Sequence, residues 1–394
     1  SIRRVQYWRR LTAKHSVVIV REPFGKKEIN MTKLRYGLLG AGMMGQEHMS
    51  NLRLLDEVEL VAFLDTDEGM ANRAQVIEPL AVRAHNLDDL LAQNLDALIV
   101  ATPNFQHADQ LLALSEQPNL AILCEKPICT QIGDVKRLAE TFEGRTAPLW
   151  VGMEYRFMPA MQAFLGKCDR VGDKHLLSIR EHRYPFLKKV DDWNRFNRFS
   201  GGTFVEKCCH FFDLMRLILD QDPVRVFATG GQACNHLDER YAEGTPDILD
   251  HGLVIVEFDG GARATLDFCM FAEGAKFEQD VSLTGAEARL DVHIPGPHPR
   301  QSESPAQINL YPRRSTAVHE IIELPNEIKA AGAHQGATYY AHQAFARTVK
   351  SGAPVEVTLR DGLLAVLMGM AAQASIQKGQ AISIDAVNLE VHDS

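Results

Sequence analysis

The chain has 394 residues, of which 45% are hydrophobic and 24% charged, with a formal net charge of −9. This length favours two domains over a single core, and the acidic balance argues against a nucleic-acid partner, which calls for a basic face. No uninterrupted apolar run reaches about eighteen residues, so no membrane span is expected. The seven cysteines are an odd number without C-x-x-C spacing, and reduced thiols in a cytoplasmic protein suit them better than a disulfide framework.

The first thirty residues carry Arg3, Arg4, Arg9, Arg10, Lys14, Arg21, Lys26 and Lys27 against only Glu22 and Glu28. Such a leader reads as a targeting segment or, because Met31 directly precedes the first core strand, as an over-extended start or a vector-like tail. Residues 1–32 are therefore set apart as a basic extension, expected to contribute nothing to catalysis. Residues 33–150 and 151–394 are read as two domains.

In the first of these, Tyr36-Gly37-Leu38-Leu39 runs into Gly40-x-Gly42-x-x-Gly45 and then into a helix-compatible segment. Gly40 permits a tight turn, Gly42 lets the backbone approach a pyrophosphate, and Gly45 lets the helix pack close to the strand. The next strand, over residues 58–64, ends in Asp65, where an acidic side chain accepts hydrogen bonds from an adenosine ribose. Asp65 would repel a 2′-phosphate and Thr66-Asp67 brings no arginine beside it, so NAD is favoured over NADP; Arg73, one or two helical turns on, is within reach of it.

Further strands are expected over 80–83, 95–102 and 120–124, separated by helices over 86–93 and 104–117. The run around Leu98 is apolar almost throughout, as in a parallel strand buried on both faces. The alternation predicts a doubly wound α/β domain. Later residues change character: strand-like runs over 176–183, 224–229, 253–258, 264–270 and 277–283 follow one another with few helices between. Phe258-Asp259-Gly260-Gly261-Ala262 reads as a hairpin. A large, mostly antiparallel open sheet follows, with one face available to another subunit, and helices over 338–350 and 362–377 close the chain.

Ligands bind at the carboxyl ends of the strands of an open parallel sheet. The Gly40 turn, Asp65, Thr102-Pro103-Asn104 and Glu125-Lys126-Pro127 all fall there. Pro127 stops its strand, so an ammonium on Lys126 faces the crevice, where it can polarise an oxygen at the reacting carbon; a solvated surface lysine is the plain alternative. In Gly201-Gly202-Thr203-Phe204-Val205-Glu206-Lys207-Cys208-Cys209-His210-Phe211-Phe212-Asp213, a continuous helix would put Glu206, His210 and Asp213 on one face. Glu206 would then orient His210 as a proton acceptor, unless His210 is a satisfied core histidine. Adjacent Cys208 and Cys209 point about 100° apart on a helix, and with no second Cys/His cluster at ligand spacing no metal is expected. The loop from Arg180 to Phe196 is rich in polar and aromatic groups: Trp193 can stack on a ring, while Tyr184 and Asn194 offer hydrogen bonds. His334, before a helix, is a weaker addition.

These motifs, together with Ala101-Thr102-Pro103-Asn104 and Tyr155-Arg156-Phe157-x-Pro159, resemble the glucose–fructose oxidoreductase/inositol dehydrogenase/rhizopine-catabolism (Gfo/Idh/MocA) family from Lys33 to the C-terminal region. The resemblance implies a Rossmann domain followed by an α/β domain whose open sheet serves a homo-oligomer, a dimer or tetramer. It also implies NAD(P)-dependent oxidation of a secondary alcohol on a sugar or cyclitol. By position Lys126 and His210 match the family lysine and histidine. Glu206 stands where an Asp is usual, and Cys208 where Gly is common. The implied cofactor set is Gly40, Gly42, Met43, Met44, Gly45, Asp65, Thr102, Pro103, Asn104, His107, Glu125 and Lys126. The implied substrate set is Tyr155, Arg156, Tyr184, Trp193, Asn194, His210 and His334. Two alternatives stay open: an NAD-dependent glycosidase-like eliminase that oxidises C3 transiently, and a non-catalytic NAD or sugar sensor, which need not retain the lysine and histidine.

Overall fold

The computed structural model describes residues 15–19, 33–297 and 304–393. Its N-terminal sheet has six parallel strands in the order Val82–Arg83, Val58–Leu64, Leu34–Leu39, Ala97–Val100, Ala121–Cys124 and Leu149–Val151. Every residue of Ala97–Val100 and Ala121–Cys124 is buried, as strands covered by helices on both faces require. The order reverses between Leu34–Leu39 and Ala97–Val100, and the crevice outside their carboxyl ends is where such sheets bind ligands.

The second sheet has eleven strands, in the order His15–Ile19, Val318–Glu323, Ala306–Pro312, Ala288–Ile294, Gln279–Gly285, Lys174–His182, Arg263–Cys269, His251–Phe258, Pro223–Gly231, Ile382–Asp385 and Glu390–Asp393. It is antiparallel except for the pairs Lys174–His182 with Arg263–Cys269 and His15–Ile19 with Val318–Glu323. The strand at 15–19 corrects the reading of the leader as a segment apart from the fold: five of its residues extend the sheet edge. The 258–262 turn joins two antiparallel strands, as its glycines suggested.

Burial alternates along the strands, with Val254, Val256 and Phe258 inward and Leu253 and Ile255 outward, the period-two signature of a sheet covered on one face. The covering helices include Cys209–Leu219 and Leu359–Lys378. Leu359–Lys378 is the one described helix long and apolar enough to cross a membrane, and here it is a core helix. Its Gly369 lies so close to the 203–206 turn that a Cβ would stand 2.5 Å from the Phe204 carbonyl oxygen.

That contact yields a prediction with opposed terms. An interior helical glycine replaced by alanine normally gains about 0.5–1 kcal/mol, whereas overpacking costs about 1–3 kcal/mol. Gly369→Ala is expected to destabilise the fold on balance, measured as a lower urea midpoint at unchanged slope. A raised midpoint would mean that the helix can move away from Phe204 without loss.

Candidate active site

The dinucleotide end of the site is set by three glycines. Gly40 has φ +91°, and a Cβ there would lie 2.7 Å from the backbone of Ala101 and Thr102; a Cβ on Gly45 would lie 2.2 Å from the Gly40 carbonyl oxygen. A Cβ on Gly42 would meet nothing within 4 Å, so the open side of the turn belongs to this residue. Helix Met43–Leu52 starts at Gly42 without a side-chain cap. The first-turn N–H groups of Met43, Met44 and Gly45 thus form an anion cradle. Asp65 accepts from Ala41 N at 2.6 Å and Asp67 N at 2.8 Å, which holds the carboxylate against the loop. These residues fit a dinucleotide.

Other residues of the expected cofactor set have structural partners. His107 is fully buried and both its ring nitrogens face carbonyls, Pro127 O at 2.8 Å and Thr102 O at 2.9 Å. It ties the loop after one strand to the loop after the next and is not placed to touch a cofactor. Burial holds it neutral, so it donates to one of the two at a time. The Thr102 hydroxyl donates to Gln110, and Pro103 caps the short 104–106 turn. Glu125 is buried against His48 Nε2 at 3.0 Å, and His48 Nδ1 lies 2.9 Å from His342 Nε2. Burial opposes charge on both groups, but their hydrogen bond and mutual attraction win: Glu125 is lowered and His48 raised from their ordinary values.

Lys126 follows directly. Its Nζ donates to the Glu206 carbonyl oxygen at 2.9 Å. Burial works against its charge, yet Glu206 and neighbouring acids raise it above the ordinary lysine value, so it is an ammonium. Asn104 Nδ2 donates to Ser200 O at 3.0 Å and to the Glu206 carboxylate. Glu206 therefore joins the two domains through both its backbone and its side chain.

The expected Glu206–His210 pair does not form. The segment is two helices, Thr203–Glu206 and Cys209–Leu219, so the i, i+4 relation is lost, and the Glu206 carboxylate turns to Asn104 and Lys189. Asp213 turns away as well, holding Arg156 in a bidentate pair. His210 is buried and its Nδ1 has no partner among the described residues. Its ring lies flat on Tyr155, centroids 4.0 Å apart and planes 5° from parallel. Burial, then Lys126, Lys207, His334 and Arg183, push its pKa well below 6.5. It is a neutral imidazole, able to accept a proton.

The expected substrate residues divide. Tyr155, Tyr184 and His334 line one cavity. Arg156 does not reach it, being buried on Asp213 and the Glu356 carbonyl. Asn194 is fully buried and spends its amide on Leu187 O at 2.9 Å. Trp193 is buried with Lys189 over its ring and Phe105 at its edge, so it packs the loop onto the N-terminal domain. His334 Nδ1 lies 2.8 Å from Glu47 and 3.5 Å from Glu154; burial opposes its charge, but Glu154 and Glu47 raise it to about 9. These three residues are the one group among those described whose ligand-type atoms cluster, and here they form an ion-pair set bridged by Thr338. Residues 47, 154 and 334 are too far apart in sequence for spacing to reveal them.

Several residues around Tyr155 went unmarked. Lys207 Nζ bonds the Tyr155 hydroxyl and lies 3.0 Å from Glu181 Oε1, a contact by distance whose angle makes no hydrogen bond. Arg183, Glu278 and Gln279 complete the polar wall. A lysine inside the apolar run Phe204 to Phe212 was the visible signal for Lys207; nothing local marks Glu278.

Residues 34–153 match the model of the oxidoreductase family NAD-binding Rossmann fold (GFO_IDH_MocA), and residues 170–384 match that family's C-terminal alpha/beta domain. The chain is 25% identical to a myo-inositol 2-dehydrogenase of Thermotoga maritima, over 90% of this chain and 99% of that one. It is 28% identical to an inositol 2-dehydrogenase of Rhizobium meliloti, over 89% and 99%. Among solved structures, levoglucosan dehydrogenase in complex with NADH superposes with a TM-score of 0.76 at 16% identity, covering 90% of this chain and all of that one.

Asp65 supplies the test of cofactor choice. Asp65→Ser removes the charge that repels a 2′-phosphate, and the ratio of kcat/KM for NADP to that for NAD is expected to rise about tenfold or more. An unchanged ratio would confine Asp65 to bracing the Ala41 loop.

Proposed function

The chain belongs to the Gfo/Idh/MocA oxidoreductase family, and from that premise we propose that it oxidises a secondary alcohol of a sugar or cyclitol, with Lys126 and His210 at the reacting carbon. NAD, when bound, supplies the hydride acceptor. His210 takes the hydroxyl proton, because burial and four surrounding cationic groups keep its imidazole neutral. Lys126, charged and fixed by the Glu206 carbonyl, stabilises the oxygen as negative charge grows on it. Glu206 acts as a positioning residue: it aims Lys126 and binds Asn104 across the domain joint. Tyr155 fixes the plane of His210 by stacking.

The observation that carries this reading is Lys126 held on the Glu206 carbonyl together with a buried His210 whose Nδ1 has no partner among the described residues. A bare sensor needs neither. The names of the inositol dehydrogenases similar to this chain support a cyclitol or sugar as substrate. If the reading is right, His210→Ala lowers kcat by about 10²–10⁴ while the NAD dissociation constant stays nearly unchanged, and Lys126→Met does the same. Stopped-flow NADH absorbance and fluorescence titration measure the two quantities. Near wild-type turnover in His210→Ala would move the proton acceptor elsewhere.

The reading includes a cytoplasmic location, in keeping with seven free cysteines, and a homo-oligomer, dimer or tetramer, through the open sheet face. Leu176, Phe227, Leu253 and Ile255 stand exposed on that face, with Ile255 opposite Phe227. Phe227, Leu253 and Ile255 form an apolar group on adjacent strands, and a surface of this kind supports the reading of an interface there. Leu253→Glu with Ile255→Lys is expected to lower the mass measured by light scattering to that of a smaller species. An unchanged mass would exclude this face.

A further inference from the structure

Lys126 stands two residues past the strand Ala121–Cys124, beyond the last rung of the parallel ladder. Its amide donates instead to the neighbouring carboxylate, Glu125 Oε2, at 3.2 Å, and Pro127 after it has no N–H to give. The backbone that carries the ammonium is therefore held by side chains. Glu125 is 5% exposed and fills a slot that a glycine leaves open: a Cβ on Gly152 would stand 2.9 Å from Glu125 Oε1 and 3.1 Å from its Cα. His48 Nε2 fixes the same Oε1 at 3.0 Å, and His48 Nδ1 lies 2.9 Å from His342 Nε2. Burial opposes a charge on His48, but the Glu125 bond sustains it, and His342 is held neutral by burial and by His48. His48 then donates at both nitrogens, and its bond to the carboxylate is charge-assisted.

His48 belongs to the helix Met43–Leu52, whose first turn forms the anion cradle for the dinucleotide. A hydrogen-bonded path thus runs from the cofactor's helix through His48 and Glu125 to the amide of Lys126, while the far end of the lysine is held by the Glu206 carbonyl. Resting on the oxidoreductase reading above, we propose that His48 and Glu125 are positioning residues for the reaction, setting the Lys126 ammonium relative to the dinucleotide and acting through Lys126 rather than at the reacting carbon. Gly152 provides the room that Glu125 needs. A group misplaced by about 1 Å can cost about 10² in rate, so the path is expected to matter for turnover more than for binding.

The test is a double-mutant cycle with Lys126→Met, read as the rate of NADH formation. His48→Leu removes the donor. Gly152→Ala drives Glu125 aside while leaving every polar group present, so it carries the test if the carboxylate left alone in His48→Leu unfolds the protein. Each is expected to lower kcat about tenfold or more, with the NAD dissociation constant within about threefold. In the Lys126→Met background the same changes should cost less than about twofold, because the group they place is gone. His48→Gln, which keeps a donor toward Glu125, should recover most of the loss seen in His48→Leu. Equal losses with and without Lys126, or folded variants that turn over like the wild type, would overturn the inference and leave the reaction class intact. A wild type that reduces NAD with no sugar or cyclitol, or a Lys126→Met variant at full rate, would instead remove the reading on which the inference rests.

Discussion

The site depends on how Glu206 is held. Its carbonyl takes Lys126 from the N-terminal domain at 2.9 Å, and its carboxylate takes Asn104 from the same domain. One residue on a four-residue helix thus receives two side chains from separate strand ends of the Rossmann sheet. The lysine is aimed by a backbone atom, a partner that no side-chain substitution removes directly. Because the carboxylate is committed to the joint, the histidine four residues later is left with a ring face on Tyr155 and an Nδ1 without a partner among the described residues.

That arrangement places opposite protonation states side by side. Lys126 sits among acids and is held charged; His210 sits among cations and is held neutral. A base must be unprotonated before the reaction, and an oxygen stabiliser must be charged during it; the same cations that keep His210 unprotonated also oppose the imidazolium it becomes on taking the proton. Lys207 contributes to both walls, adding to the field that keeps His210 neutral while contacting Tyr155 and Glu181. Glu125, His48 and His342 form a second buried chain, linking the strand before Lys126 to the helix Ala337–Ser351.

Much of this was legible in the sequence where the determinants are local. Strand periods, the glycine turn, Asp65 after the second strand and Lys126 ahead of Pro127 each rest on neighbours a few residues apart, and the structure places them as those patterns imply. Pairings across long separations were not legible. Arg156 was read as a substrate contact and is spent on Asp213; Asn194 is spent on Leu187 O; His107 bridges two carbonyls. The largest misreading was the helix through Glu206 and His210. Helical spacing is a rule about continuous helices, and the break at Lys207 and Cys208 turns the two side chains apart. The strand at His15–Ile19 was missed for a related reason: its partner, Val318–Glu323, lies some three hundred residues away.

The central claim is that His210 waits as a neutral imidazole at physiological pH. Its ring nitrogens report this directly in a ¹⁵N NMR titration, with the His210 signals assigned by their absence from His210→Gln. The account predicts that these signals remain those of a neutral ring as pH falls through 6.5, the ordinary histidine value, and titrate only well below it. A His210 that titrates at or above 6.5 would contradict the account, because burial and the surrounding cations would then not be setting its charge.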